Sequence, residues 1–175
     1  MAKTNWTIDT THSKVGFKVK HMMFTNVSGK FNTYEGTFET EDDDFSNASI
    51  LFTADTNSID TANTDRDNHL KSADFFDVEQ FPKLTFKVTS FAPKGDEYEV
   101  TGDLTIKDVT KNVSFPAEFS GLMKDPWGNT KAGLNVYGKI NRKEFGLNWN
   151  AALETGGVLV GEEVKLEVEL QLLKQ

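Results

Sequence analysis

One pattern governs what this chain can fold into: along most of its length, apolar and polar side chains alternate with a period of two. The carboxyl end shows it most plainly. Val164, Leu166, Val168, Leu170 and Leu172 alternate there with Lys165, Glu167, Glu169 and Gln171, which is an extended segment with one buried face and one wet face. The same alternation runs through Val15, Phe17, Val19; through Ile50 and Phe52; and through Leu84, Phe86, Val88. It continues from Tyr98 to Ile106, from Val113 to Phe119 and from Leu134 to Ile140. Turn-forming residues separate these runs at Glu41 to Asp44, Pro93 to Asp96, Lys107 to Lys111 and Lys124 to Thr130. Half-buried strands joined by such short links predict an antiparallel sheet closed on itself, not a parallel sheet with crossover helices. Gly16, Gly36, Gly102 and Gly138 fall inside strand patterns, where glycine permits sharp coiling or leaves room beside the backbone.

A single stretch breaks the period. In TDRDNHLKSADFFD, Thr64 to Asp77, apolar positions fall three and four apart, and Ala62, Arg66, His69, Leu70 and Ala73 share one helical face. Thr64 followed by Asp67 resembles a capping box, and Pro82 halts helical geometry before the next strand. The spacing predicts a helix of about three turns with Phe75 and Phe76 at its end, too short to persist without packing across a barrel end or flank. Its inward face carries Arg66 and His69, for which two readings stand. Arg66 is an ion pair with a carboxylate such as Asp77 and His69 is bonded to a carbonyl. Alternatively both stand at a cavity mouth, where a guanidinium fork holds a polar or phosphorylated head group.

Composition removes several function classes. The chain has 175 residues and shows no linker or repeat, so residues 1–175 are expected to form one domain. A net charge of -8 repels a phosphate backbone, so no nucleic-acid partner is expected. No transmembrane segment is expected either, since no apolar run is long enough. The opening MAKTNWTIDTTHS lacks the apolar run of a secretory signal, and a cytoplasmic location follows as the expectation, although an exported mature chain would look the same. There is no cysteine, no G-x-S-x-G elbow and no phosphate-cradling glycine loop. His12, His21 and His69 show no metal-ligand spacing. No catalytic residue, metal or cofactor is therefore predicted. The alternative is an enzyme or metal-dependent protein that uses His21, His69 and Asp67 on a small or lipid substrate. Fourteen phenylalanines are unusual, and such an interior can be a tight core or a lipid-sized cavity.

Several segments together resemble the YceI-like family: WTIDTTHSKVGFKVKHM, VSGKFNTYEGTF, DRDNHLKSADFFDVEQFPKLTF, GDLTIKDVTKNVSF, DPWGNTKAGL and INRKEFGLNW, in that order. The matching positions include His12, Ser13, His21, Asp65, Arg66, His69, Leu70, Asn141, Arg142, Phe145 and Gly146. The resemblance implies an all-β fold with one short helix, a lipocalin-like antiparallel barrel of about eight strands around an apolar tunnel. It further implies a non-catalytic protein that binds, stores or carries a long amphiphilic lipid: a polyisoprenoid, an isoprenoid quinone or a fatty-acid derivative. Family members are also associated with stress responses. Tunnel walls of this kind are expected at Phe17, Val19, Phe31, Phe38, Ile50, Phe52, Leu70, Phe86, Val88, Leu104, Phe115, Leu134 and Val136. Met22 and Met23 are expected as adaptable lining near a rim, with Arg66 and His69 at the polar end. A homodimer that covers the barrel mouth is plausible on the same grounds.

Overall fold

The structure is a computed structural model and describes residues 3–21, 25–147, 150 and 160–175. The alternating segments become strands β1 (Lys3–Ile8), β2 (Lys14–His21), β3 (Thr25–Phe31), β4 (Tyr34–Glu41), β5 (Asp44–Asp55) and β6 (Ile59–Asp60). They continue as β7 (Lys83–Lys94), β8 (Glu97–Ile106), β9 (Val109–Lys124), β10 (Thr130–Asn141) and β11 (Val160–Lys174). All pairings are antiparallel, and the order β1-β4-β5-β7-β8-β9-β10-β11 returns to β1, so eight strands close a ring. The expected barrel is thus the observed fold. Closure removes the exposed edges that an open sheet of this length would present. Two-residue links at Asp42, Gly95 and Lys107 begin with positive φ, the backbone twist that tight hairpins require.

The first strand of the ring is bent in two. β1 pairs with β4 and with the last residues of β11, as in Ile8↔Leu172, whereas β2 pairs with the earlier part of β11, from Lys14↔Glu169 to His21↔Val160. Asp9 to Ser13 forms the corner. The Asp9 amide donates to the Gln171 carbonyl at 2.8 Å, and the Ser13 hydroxyl donates to the Asp9 carbonyl while accepting from the Gln171 amide. His12 is exposed, with Nδ1 2.9 Å from the Asp9 carboxylate. Hydrogen bonds from the Thr11 hydroxyl and then His12 hold the Asp9 carboxyl well below the usual range, at about 2. His12 and Ser13 are therefore parts of a barrel corner.

Beyond that corner β2, β3 and β6 extend the wall, and α1 (Thr64–Lys71) with the turns after it covers the space between β6 and β7. The helix is shorter than the expected three turns. Its cap is Asn63, whose side chain accepts from the Arg66 amide at 3.0 Å, and not Thr64. Asp67 does not complete a capping box. It reaches back to accept from the Thr61 amide and hydroxyl at 2.9 and 2.5 Å. Ala62 lies outside the helix at φ 63°, and Ala73 lies beyond its end, exposed. The three-and-four spacing was extended across residues whose backbone is already turning, and local hydrogen bonds to Thr61 decide where the helix begins.

Candidate ligand-binding cavity

The fourteen phenylalanines of the sequence do not share one environment. At the end of the barrel where β1 meets β4, Trp6, Phe45, Phe91, Tyr98 and Phe119 pack into a solid aromatic cluster. Ring centroids there lie 5.0 Å apart for Trp6 and Phe45, 4.8 Å for Phe45 and Phe119, and 4.9 Å for Phe91 and Tyr98. Trp6 is 1% exposed, and its indole N–H donates to the Thr40 hydroxyl at 3.1 Å, so the buried indole has its hydrogen bond satisfied.

Toward the α1 end the barrel is hollow. An interior cavity of about 600 Å³ lies between the inward faces of β2, β3, β5, β7 to β11 and the α1 segment. None of Trp6, Phe45, Phe91, Tyr98 and Phe119 reaches it. The structure brings Phe17, Val19, Phe31, Phe38, Ile50, Phe52, Leu70, Phe86, Val88, Leu104, Phe115, Leu134 and Val136 to this one wall, together with Arg66 and His69. Met22 and Met23 lie outside the described residues. The wall also contains residues that alternation placed inside without singling them out, among them Val15, Leu84, Val100, Val164, Leu166, Val168 and Leu170. Phe75 and Phe76 complete it from the turns after α1, with Phe76 edge-on to Phe31 at 5.9 Å.

Polar groups gather at the α1 end of the cavity. Arg66 lines it, half-buried, with Nε donating to the Thr61 hydroxyl at 2.8 Å and Nη2 to the Thr61 carbonyl at 2.7 Å. The expected ion pair with Asp77 is replaced by this neutral grip, because the helix starts late enough to leave the Thr61 carbonyl free of the helical ladder. His69 Nε2 sits 3.0 Å from the Asp74 carboxylate, in place of the expected carbonyl, and its ring meets Phe75 edge-on at 5.1 Å. His21 lines the cavity from the end of β2. Asp67, bound to Thr61, does not line it.

Of the polar wall residues that the sequence did not single out as lining, Lys20, Thr61, Asn63, Asp65 and Arg142, the most buried is Arg142. It opens a short helical turn, Arg142–Phe145, after β10, is 3% exposed, and lies on the cavity wall with its guanidinium carbon 6.0 Å from the Phe75 ring centroid. Its nitrogens donate to the carbonyls of Gly161 at 2.8 Å, Val160 at 3.2 Å and Leu147. It thus ties the start of β11 to the turn that follows β10. Burial pushes its pKa down and Glu162 pulls it back up, and a guanidinium so placed still carries its charge at neutral pH. The available sequence signal was the pairing of Asn141, which caps the turn by accepting from the Lys143 amide at 3.0 Å, with Gly146 in the left-handed region at φ 79°. Those two residues mark a helical turn, but nothing local reveals that its arginine is buried.

The arrangement can hold an apolar molecule. Almost the whole wall is hydrocarbon, and among the described residues no three His, Asp or Glu side chains converge as metal ligands would. Among the described residues no helix is long and apolar enough to cross a membrane.

Comparisons with known proteins agree with this geometry. The YceI-like domain model matches residues 6–172. A UPF0312 protein of Staphylococcus aureus (strain bovine RF122 / ET3-1) is 43% identical over 169 residues, covering 96% of both chains. Among solved structures, the Campylobacter jejuni YCEI protein is 29% identical with a TM-score of 0.73, covering 96% of each chain. Burkholderia cenocepacia BcnA superposes with a TM-score of 0.79 at 24% identity, covering 94% of this chain and 98% of that one, which is a likeness of fold. A polyisoprenoid binding domain from Saccharophagus degradans shares the fold at 12% identity and a TM-score of 0.69, covering 97% and 98%. With its barrel, its short helix and its ordered landmarks all matched along nearly the whole length, this chain belongs to the YceI-like family.

Proposed function

We propose that this protein is a non-catalytic carrier or store for a long amphiphilic lipid, a polyisoprenoid, isoprenoid quinone or fatty-acid derivative, whose tail occupies the barrel cavity. The observation that carries the reading is the 600 Å³ apolar cavity confined to one half of an otherwise close-packed barrel. Packed interiors rarely contain voids larger than a water molecule, so a space of this size is unusual for a core and suits a ligand. Its volume falls in the range of ligand sites. Each buried methylene contributes about 0.8 kcal/mol, so tail burial dominates the affinity. Arg66, His69 and His21 at the α1 end supply the polar contacts. The polyisoprenoid-binding description of the Saccharophagus degradans neighbour supports the same ligand class.

The reading as an enzyme loses ground because Asp67, its expected acid or base, is consumed by Thr61. A cytoplasmic location belongs to the proposal and is tested by cell fractionation. The function is tested by native mass spectrometry of protein purified from its own host, followed by organic extraction. A stoichiometric lipid is the expected result. A protein that arrives empty and also refuses prenyl lipids and long-chain fatty acids in titration overturns the proposal.

A further inference from the structure

The barrel wall has a seam. The β9–β10 ladder runs from Thr130↔Lys124 to Val136↔Ala117 and stops, whereas β9 stays paired with β8 up to Ile106↔Val109 and β10 stays paired with β11 up to Asn141↔Glu163. Ala117, at which it stops, is preceded in β9 by Pro116, which has no N–H to give a ladder. Outside this unpaired length lies a groove of about 470 Å³. Two of its lining residues, Phe115 and Leu166, also line the interior cavity.

The Phe115 ring covers the seam at Gly138. A methyl group placed on Gly138 would fall within the Phe115 side chain, so the ring lies directly against the Gly138 backbone at the point where strand pairing is missing. Phe115 is only 5% exposed, held on the inner side by Phe86 at 5.9 Å between centroids. The Phe115 side chain of β9, beside Leu166 of β11, thus stands between groove and cavity.

The rim of the groove has an unexplained charge pattern. Lys139 is directly opposite Lys165 in the β10–β11 register, and Lys165 is directly opposite Lys18 in the β11–β2 register. Like charges facing one another across a ladder destabilise a sheet, and this row of three lysines occurs in a chain of net charge -8. Glu167, also on the rim, is matched by Lys18 at 3.2 Å, and Glu163 stands 3.9 Å from Lys139. No ion pair to Lys165 is formed among the described residues.

We propose that the seam is a side portal of the cavity: the Phe115 ring swings aside, an apolar tail passes between β9 and β10, and an anionic head group remains outside against Lys139 and Lys165. This rests on the reading of the cavity as a lipid site. It assigns the carrier a preference for carboxylate or phosphate amphiphiles and gives a tail longer than the cavity a way out through the wall.

The absence of native cysteine makes the test clean. Ser114→Cys with Tyr137→Cys places two exposed thiols across the seam, which a bismaleimide joins without touching the cavity wall. A fluorescent conjugated-polyene fatty acid is the probe. The portal predicts that the joined protein loads and releases the probe at least about tenfold more slowly than the same variant left unjoined, as expected when a gating motion is blocked. Equal rates with intact binding overturn the portal and leave the cavity reading standing, whereas no binding in either state overturns both. For the head group, Lys139→Gln with Lys165→Gln should weaken a long-chain carboxylate and a prenyl phosphate by about tenfold, while the matching alcohol is unaffected. Equal loss for acid and alcohol, or no loss for either, overturns the assignment of the lysines.

Discussion

The two ends of this barrel are built from the same residue type and do opposite things. At the β1–β4 end the rings of Trp6, Phe45, Phe91, Tyr98 and Phe119 meet one another at centroid distances from 4.8 to 6.1 Å, and none of them lines the cavity. At the α1 end Phe17 and Phe31 stand 5.8 Å apart, Phe86 and Phe115 5.9 Å, and each lines the cavity. The difference lies in what faces each ring. In the plug, rings face rings. In the hollow half, rings such as Phe115 and Phe17 lie flat over Gly138 and Gly29 of neighbouring strands, hugging the wall and leaving the middle open. Phenylalanine content therefore measures how much apolar surface a barrel turns inward, and the glycines decide whether that surface is filled or lined.

This contrast can be broken by truncation at each end. Phe91→Ala in the plug should cost about 3 to 5 kcal/mol in urea unfolding, since the 2%-exposed ring is held on all sides. Phe86→Ala on the cavity wall should cost about 2 kcal/mol or less, because its neighbours already have empty space on one side. Equal costs at the two ends would contradict the division into plug and hollow.

Next in size is the tie between the halves of the late turn. Arg142→Gln should cost about 2 to 4 kcal/mol, as the carbonyls of Gly161, Val160 and Leu147 lose charged donors in a buried site. Arg142→Lys should restore little of it, because an ammonium cannot spread over three carbonyls as a planar fork does. Arg66→Gln, releasing a half-buried grip on Thr61, should cost about 1 kcal/mol in the same measurement.

Enlarging substitutions give the converse. Ala117→Leu, at a fully buried position, should cost about 1 to 3 kcal/mol by overpacking. Val136→Leu, two residues along β10 from Leu134 and on the cavity wall, should be near neutral for stability while reducing lipid capacity. The smallest effect belongs to the corner between β1 and β2. The Asp9 carboxyl has a folded pKa of about 2 against about 3.9 when unfolded, so its stabilisation is fully present above the unfolded value and is lost as pH falls through the folded one. Asp9→Asn should therefore unfold at lower denaturant than the parent at pH 7, by a fraction of a kcal/mol for a carboxyl still reached by solvent, and match it below about pH 2.

Strand identity, barrel closure and most of the inward-facing wall were legible because period two is a strong and redundant signal, repeated from Val15 to Leu172. The division into plug and hollow was not legible, because alternation says which face a ring takes and nothing about what it meets. The limits of α1 were misplaced for a similar reason. Thr64 and Asp67 have the spacing of a capping box, yet Thr61, outside that motif, competes for Asp67 and Arg66, and only the folded chain brings it near enough to win. Arg142 was visible as a landmark of the family but not as a buried cation, since its partners are backbone carbonyls of Leu147, Val160 and Gly161, which carry no side-chain signal.

The central claim, that the hollow half exists to take an apolar tail, is tested most directly by calorimetric titration with a series of saturated fatty acids of increasing length. Affinity should rise by about 0.8 kcal/mol for each added methylene and level off once the tail fills the cavity. No binding across the series, or an affinity indifferent to tail length, would contradict it.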